Sequence, residues 1–219
     1  MSISQLLNQA TLKTKKELQD SLIQIYSDDV TDNEIDNDED VEDAKERKER
    51  LAEDAEKIDI LLADIETFAS KSSGYAGGRA YWLMGRIYTT MKDWEKAENA
   101  WASSAKKAEN TYLVPLAWFN AGVSAEQHGD YVSAIEHYSN SLLAQDGFPD
   151  DHRAWFSMGR LLEAVGDYEG AIEVYNNFID LSKYDTPWIN LAHSRIIALE
   201  ILISTTENET NVEIEIEND

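Results

Sequence analysis

Cysteine is absent from all 219 residues, which removes disulfides, thiolate zinc sites, iron–sulfur clusters and cysteine nucleophiles from consideration. Positive charge is scarce: 19 Lys and Arg stand against 43 Asp and Glu, a formal net charge of −24. An unassisted hold on nucleic acid or anionic lipid needs clustered cations to replace counterions, so neither partner is expected. No stretch reaches the roughly 20 apolar residues that span a bilayer, and Met1–Lys16 has no continuous apolar segment of signal-peptide type. Direct membrane insertion is therefore not expected, and the chain reads as cytoplasmic.

Catalytic patterns are missing too. His128, His137, His152 and His193 show no ligand spacing of the HExxH kind, and no nucleophile elbow is present. Gly74, Gly77 and Gly78 lack the lysine a phosphate-binding loop requires. The expectation is a protein that is not an enzyme and takes no metal and no cofactor. Asp32, Glu34, Asp36 and Asp43 echo a calcium loop, but Asn37 stands at the glycine position and Asp43 where a bidentate Glu belongs. An acidic cation-binding regulator, or an enzyme with an unrecognised site, is the alternative of another class.

What is present is enough apolar and aromatic material for a core, 42% and 10% of the chain, arranged in zones. Residues 1–27 carry Leu6, Leu7, Leu12, Leu18, Leu22, Ile23 and Ile25, the loose one-sided spacing of an amphipathic helix. In residues 28–43 ten of sixteen are acidic and none basic, which predicts a solvated linker. Residues 44–73 predict a long helix, with Ile58, Ile60, Leu61, Leu62, Ile65 and Phe68 at helical intervals and Lys71-Ser72-Ser73-Gly74 as its stop. Residues 185–204 predict a final helix carrying Leu191, Ile196, Ile197, Leu199 and Ile201. Residues 205–219, with six acids and no base, predict a disordered tail.

Between these zones the chain repeats. Gly85, Gly122 and Gly159 are 37 residues apart, and superposing them aligns several columns. Four residues earlier stand Tyr81, Trp118 and Trp155; nine later stand Trp94, Tyr131 and Tyr168, each after an aspartate (Asp93, Asp130, Asp167). Ala97, Ala134 and Ala171 follow, and four residues on come Trp101, Tyr138 and Tyr175. Gly and Ala at fixed places let two helices approach, aromatics fill the space around them, and Gly129-Asp130 and Gly166-Asp167 supply the turns.

These columns resemble the tetratricopeptide repeat (TPR) family, and Tyr81 to Arg86-Ile87-Tyr88 is a nearly complete copy of its opening signature. The departures are Ala121 for a large apolar residue, Ala125 and Leu162 for an aromatic, and Lys92 for a turn glycine. The resemblance implies an all-α, right-handed α-solenoid of TPR helical hairpins at 74–110, 111–147 and 148–184. An N-terminal helical extension and a C-terminal capping helix would flank them, since a solenoid must cover its open ends. Residues 44–70 are either the second helix of a degenerate earlier repeat, with Ser2–Tyr26 as its first, or an added packing helix. The period is longer than the family's usual one, which places extra residues near Asn110–Pro115 and Asp146–Asp151.

The resemblance further implies a protein-interaction scaffold or adaptor that holds a protein or peptide partner in the concave groove lined by the first helix of each hairpin. The residues assigned to that groove are Arg79, Trp82, Arg86, Thr89 and Thr90 in the first copy, and Leu116, Phe119, Val123, Glu126 and Gln127 in the second. Arg153, Phe156, Arg160 and Glu163 complete it in the third. Four arginines there suit a carboxylate or acidic segment, unless they pair internally with neighbouring acids. The lysine–asparagine clamp of chaperone-tail-binding members is not carried over, because Trp82, Phe119 and Phe156 stand at its lysine positions. Long-loop repeats in bacterial envelope-assembly members make an envelope-biogenesis or secretion accessory role, periplasmic or envelope-associated, the alternative.

Overall fold

A computed structural model of the chain describes residues 38–144, 151–181 and 187–217, with side chains from 55 to 206 within those ranges. The described residues form eight helices and no strand. They are α1 (Asp38–Lys71), α2 (Gly74–Thr90), α3 (Trp94–Ala108), α4 (Leu113–Gln127), α5 (Tyr131–Leu143), α6 (Asp151–Ala164), α7 (Tyr168–Leu181) and α8 (Pro187–Glu217). The expected amphipathic helix at 1–27, and most of the expected linker, lie outside the described residues.

Two boundaries differ from the sequence reading. The helix expected from residue 44 begins at Asp38 and takes in the last acids of the supposed linker; carboxylates in a first turn are stabilised by the positive end of the helix dipole. At the other end α8 continues to Glu217, through residues expected to be disordered. Once a helix is nucleated and packed, each added residue gains a bond without repeating the nucleation cost.

The hairpin turns share one device. In each, the amide of the aspartate reaches back five residues, Asp93 to Tyr88, Asp130 to Ala125 and Asp167 to Leu162, at 3.0, 3.0 and 2.9 Å. The preceding residue bonds three back at 3.1 to 3.2 Å, completing a Schellman motif. That preceding residue must adopt positive φ, and it is Gly129 (87°), Gly166 (84°) or, in the first copy, Lys92 (56°). The same aspartates cap the second helices, accepting from Lys96, Ser133 and Gly170 amides. The Ser133 amide and hydroxyl hold the Asp130 carboxyl below its usual range.

The repeated glycine has a sharper purpose than close backbone approach. A Cβ at Gly85, Gly122 or Gly159 would come within 2.6, 2.8 or 2.5 Å of the ring of Trp101, Tyr138 or Tyr175. The third aromatic of each hairpin therefore lies flat on the first helix, where only hydrogen fits. Ala97, Ala134 and Ala171, all fully buried, keep the second helix close enough for this. Two buried serines add a matched bond: Ser104 donates to the Gly78 carbonyl and Ser141 to the Pro115 carbonyl, both at 2.8 Å. Their third-copy counterpart is Phe178, which packs edge-on against Phe156 at 5.4 Å.

Packing runs mainly between helices consecutive in the chain, with α2 also touching α4, as in a solenoid. α1 buries Ile58, Leu62, Ile65 and Ala69 against Ala80 and Met84 of α2, while Ile60, grouped with them from sequence, lies off the packed stripe and is exposed. At the far end α8 buries Ala192, Ile196 and Leu199 against Ala171, Tyr175 and Phe178 of α7. Leu191, Ile197 and Ile201, grouped with them from sequence, are exposed by 45%, 57% and 60%. α8 is apolar around much of its circumference and only one stripe can face α7.

Candidate binding groove

The first helices α2, α4 and α6 carry the residues assigned to the inner face. Trp82, Phe119 and Phe156 were expected to project into the groove, but each turns its ring onto the third aromatic of its own hairpin. The ring centroids are 4.8 Å apart for Trp82–Trp101, 5.4 Å for Phe119–Tyr138 and 5.3 Å for Phe156–Tyr175. Phe119 is only 7% exposed and is a core residue; Trp82 and Phe156 are half-buried. Their helix position lies on the border between inner face and hairpin interior, and a large ring gains more from burial against another ring than from water.

The residue four after each glycine makes a second repeated contact. Thr89 Oγ1 accepts from the Trp101 indole N–H at 3.1 Å. Glu126 and Glu163 accept from the Tyr138 and Tyr175 hydroxyls at 3.1 and 2.8 Å. Burial pushes both phenols up, Tyr175 to about 12 and Tyr138 higher still.

Each of those glutamates also binds an arginine from the next first helix. Arg160 of α6 reaches Glu126 at 2.6 Å, and Arg195 of α8 pairs with Glu163. Thr89 has no charge to offer, and the matching position on α4 is Val123. Arg153 likewise leans back onto α4, its guanidinium 5.1 Å from the centre of the Phe119 ring. Internal pairing thus accounts for Arg160, and the inner face of α4–α6 is held together by its own charges. Arg195 was missed in the sequence, although an acid four residues past one glycine with Arg 34 or 32 residues on was the available signal.

The α2 end is different. Arg79 and Arg86 are exposed, and no ion pair to either occurs among the described residues. Thr89 and Thr90 return their hydroxyl protons to the Gly85 and Arg86 carbonyls at 2.7 and 3.0 Å. At the opposite, N-terminal end of α2, Tyr75 and Tyr112, again 37 residues apart, share a hydrogen bond of 3.2 Å. That bond raises the Tyr112 phenol, and Arg79 partly offsets the rise. Leu116 and Val123 on α4 are partly buried against the core, while Gln127 is exposed.

On the second helices, Glu98 of α3 joins two repeats. His128 and His137 each place Nε2 against one of its oxygens, at 2.7 and 2.8 Å, and His137 stacks on Trp118 at 5.3 Å. Both carboxylate oxygens are used in these bonds, and the described residues hold no cluster fit for a metal ion.

Residues 83–142 and 133–186 match the tetratricopeptide repeat family model. The repeat segment is a tetratricopeptide array. A protein of Treponema pallidum (strain Nichols), described as a TPR repeat-containing protein, is 36% identical over 95 residues, covering 42% of this chain and 39% of that protein. The match thus spans about two fifths of the relative's length. A TPR array is a scaffold for protein interaction, which is the general role the repeats support here. No helix among the described residues is long and apolar enough to cross a membrane.

Proposed function

We infer that the chain is a non-enzymatic adaptor whose inner face takes an acidic peptide or partner segment, seated at the α2 end of the TPR groove. One observation carries this reading. In a chain of net charge −24, Arg79 and Arg86 stand exposed on α2, whereas their repeat counterparts Arg153 and Arg160 lean onto α4. Guanidinium groups beside a half-exposed indole, Trp82, suit bidentate pairing with carboxylates and stacking.

The test is fluorescence anisotropy with a labelled acidic peptide containing one tyrosine, titrated with wild type, Arg79→Glu/Arg86→Glu and Arg160→Ala. Circular dichroism would confirm that all three are equally helical. Loss of about tenfold or more in affinity, some 1.4 kcal/mol, is expected for the double charge reversal and much less for Arg160→Ala. Equal binding by wild type and the double variant would remove the groove from the account.

A further inference from the structure

The outer surface differs between two consecutive junctions of the array in a way the repeat itself makes measurable. At the junction of α3, α4 and α5, Trp118 is covered. The His137 imidazole stacks on it at 5.3 Å and 23°, and the Lys106 ammonium sits 5.8 Å from its centre. One period later, at α5, α6 and α7, the indole is Trp155, but Val174 stands for His137 and Leu143 for Lys106. Among the described residues no ring stacks on Trp155 and no ammonium sits over it, and a cleft of about 470 Å³ opens beside it.

Its walls are apolar, including Trp155, Met158, Leu162 and Val174. Leu143 and Leu181 at its edge are exposed by 80% and 66%, an apolar surface that a lone folded chain gains nothing by showing to water. The rim is acidic, with Asp167 and Glu173 and no Lys or Arg lining the cleft.

We propose that this outer cleft is a second docking site, for a partner segment that carries an aromatic side chain next to lysine or arginine. The aromatic ring occupies the place His137 fills one repeat earlier and stacks on Trp155, and the neighbouring cation pairs with the Glu173 and Asp167 carboxylates of the rim. The fit rests on the internal template and on charge complementarity, and it is independent of the inner-face reading because none of the residues lining the cleft belongs to the assigned groove.

The experiment uses the full chain labelled with nitrogen-15 and three short synthetic helical peptides. One has a phenylalanine flanked by lysines, one the same ring flanked by glutamates, and one alanine between lysines. Trp155→Phe assigns the indole N–H signal of Trp155. The lysine-flanked phenylalanine peptide should shift that signal saturably, and the other two should bind at least about tenfold more weakly. Val174→His with Leu143→Lys rebuilds the covered junction from residues the fold already accepts, and should abolish the shift while leaving the remaining indole signals in place. Glu173→Lys should weaken binding alone. The proposal is overturned if the peptide binds the rebuilt variant as well as wild type, or if the glutamate-flanked peptide binds equally. It is also overturned if Phe148→Ala moves the Trp155 signal in the free chain, or if Leu143→Lys abolishes a self-association seen in sedimentation. The last two results assign the cleft to the chain's own segment or to a second copy.

Discussion

The two ends of the inner face use one repeat position in opposite ways. At the α2 end, Thr89 accepts a bond from Trp101 and returns its own proton to the Gly85 carbonyl, so it makes no link to the next hairpin. Toward α8, Glu126 and Glu163 accept from Tyr138 and Tyr175 and, in the same carboxylates, bind Arg160 and Arg195 of the following helix. A neutral acceptor leaves the next helix free to carry Val123, and an acid is matched by an arginine. Sequence variation at one position in a solenoid is thus coupled to variation a full repeat later, and that coupling decides which cations remain available to a ligand.

The largest expected effect separates the buried from the half-buried ring. Phe119→Ala should lower unfolding free energy by about 3–5 kcal/mol, and Trp82→Ala by clearly less, in urea denaturation; equal losses would erase the distinction between the two ends. Phe119→Ala is for this reason a test of folding and no test of the groove. Next, Glu126→Ala leaves a buried phenol and an arginine without their acceptor and should cost about 1–3 kcal/mol. Arg160→Ala, at an exposed pair, should cost below about 1 kcal/mol.

Alkaline titration sharpens the comparison through ionisation. Tyr138 and Tyr175 ionise less readily in the folded chain than in the unfolded one. Their contribution is complete below the ordinary phenol range near pH 10; that of Tyr175 is lost as pH rises through about 12, and that of Tyr138 at higher pH still. Amide exchange in α4 to α7 should accelerate over that window before α2 and α3, whose third aromatic is Trp101 and does not titrate. The smallest effect belongs to the first turn: Lys92→Gly should stabilise by about 1 kcal/mol by relieving positive φ. Gly129→Ala should destabilise by a similar amount, both read from thermal midpoints.

Much of this architecture was legible because the columns recur at a fixed 37-residue spacing and each has a local cause: glycine under a ring, alanine at a helix crossing, aspartate at a cap. What was not legible depends on relations between repeats. The placement of Phe119 in the groove failed because a helical wheel cannot tell a border position that faces water from one that a neighbouring ring draws inward. The Arg160–Glu126 and Arg195–Glu163 pairs require the rise from one hairpin to the next, which no single hairpin encodes. The start of α1 and the end of α8 were misjudged because acidic composition was read as disorder where it also suits a helix terminus or extension.

The packing of each helix chiefly on its chain neighbours has a consequence for how the molecule is made. Few contacts join distant parts of the chain, so little loop-closure entropy stands in the way of folding, and the search is short for a protein of this size. A hairpin leaving the ribosome already has its template, the hairpin before it, and can settle without waiting for the C-terminus.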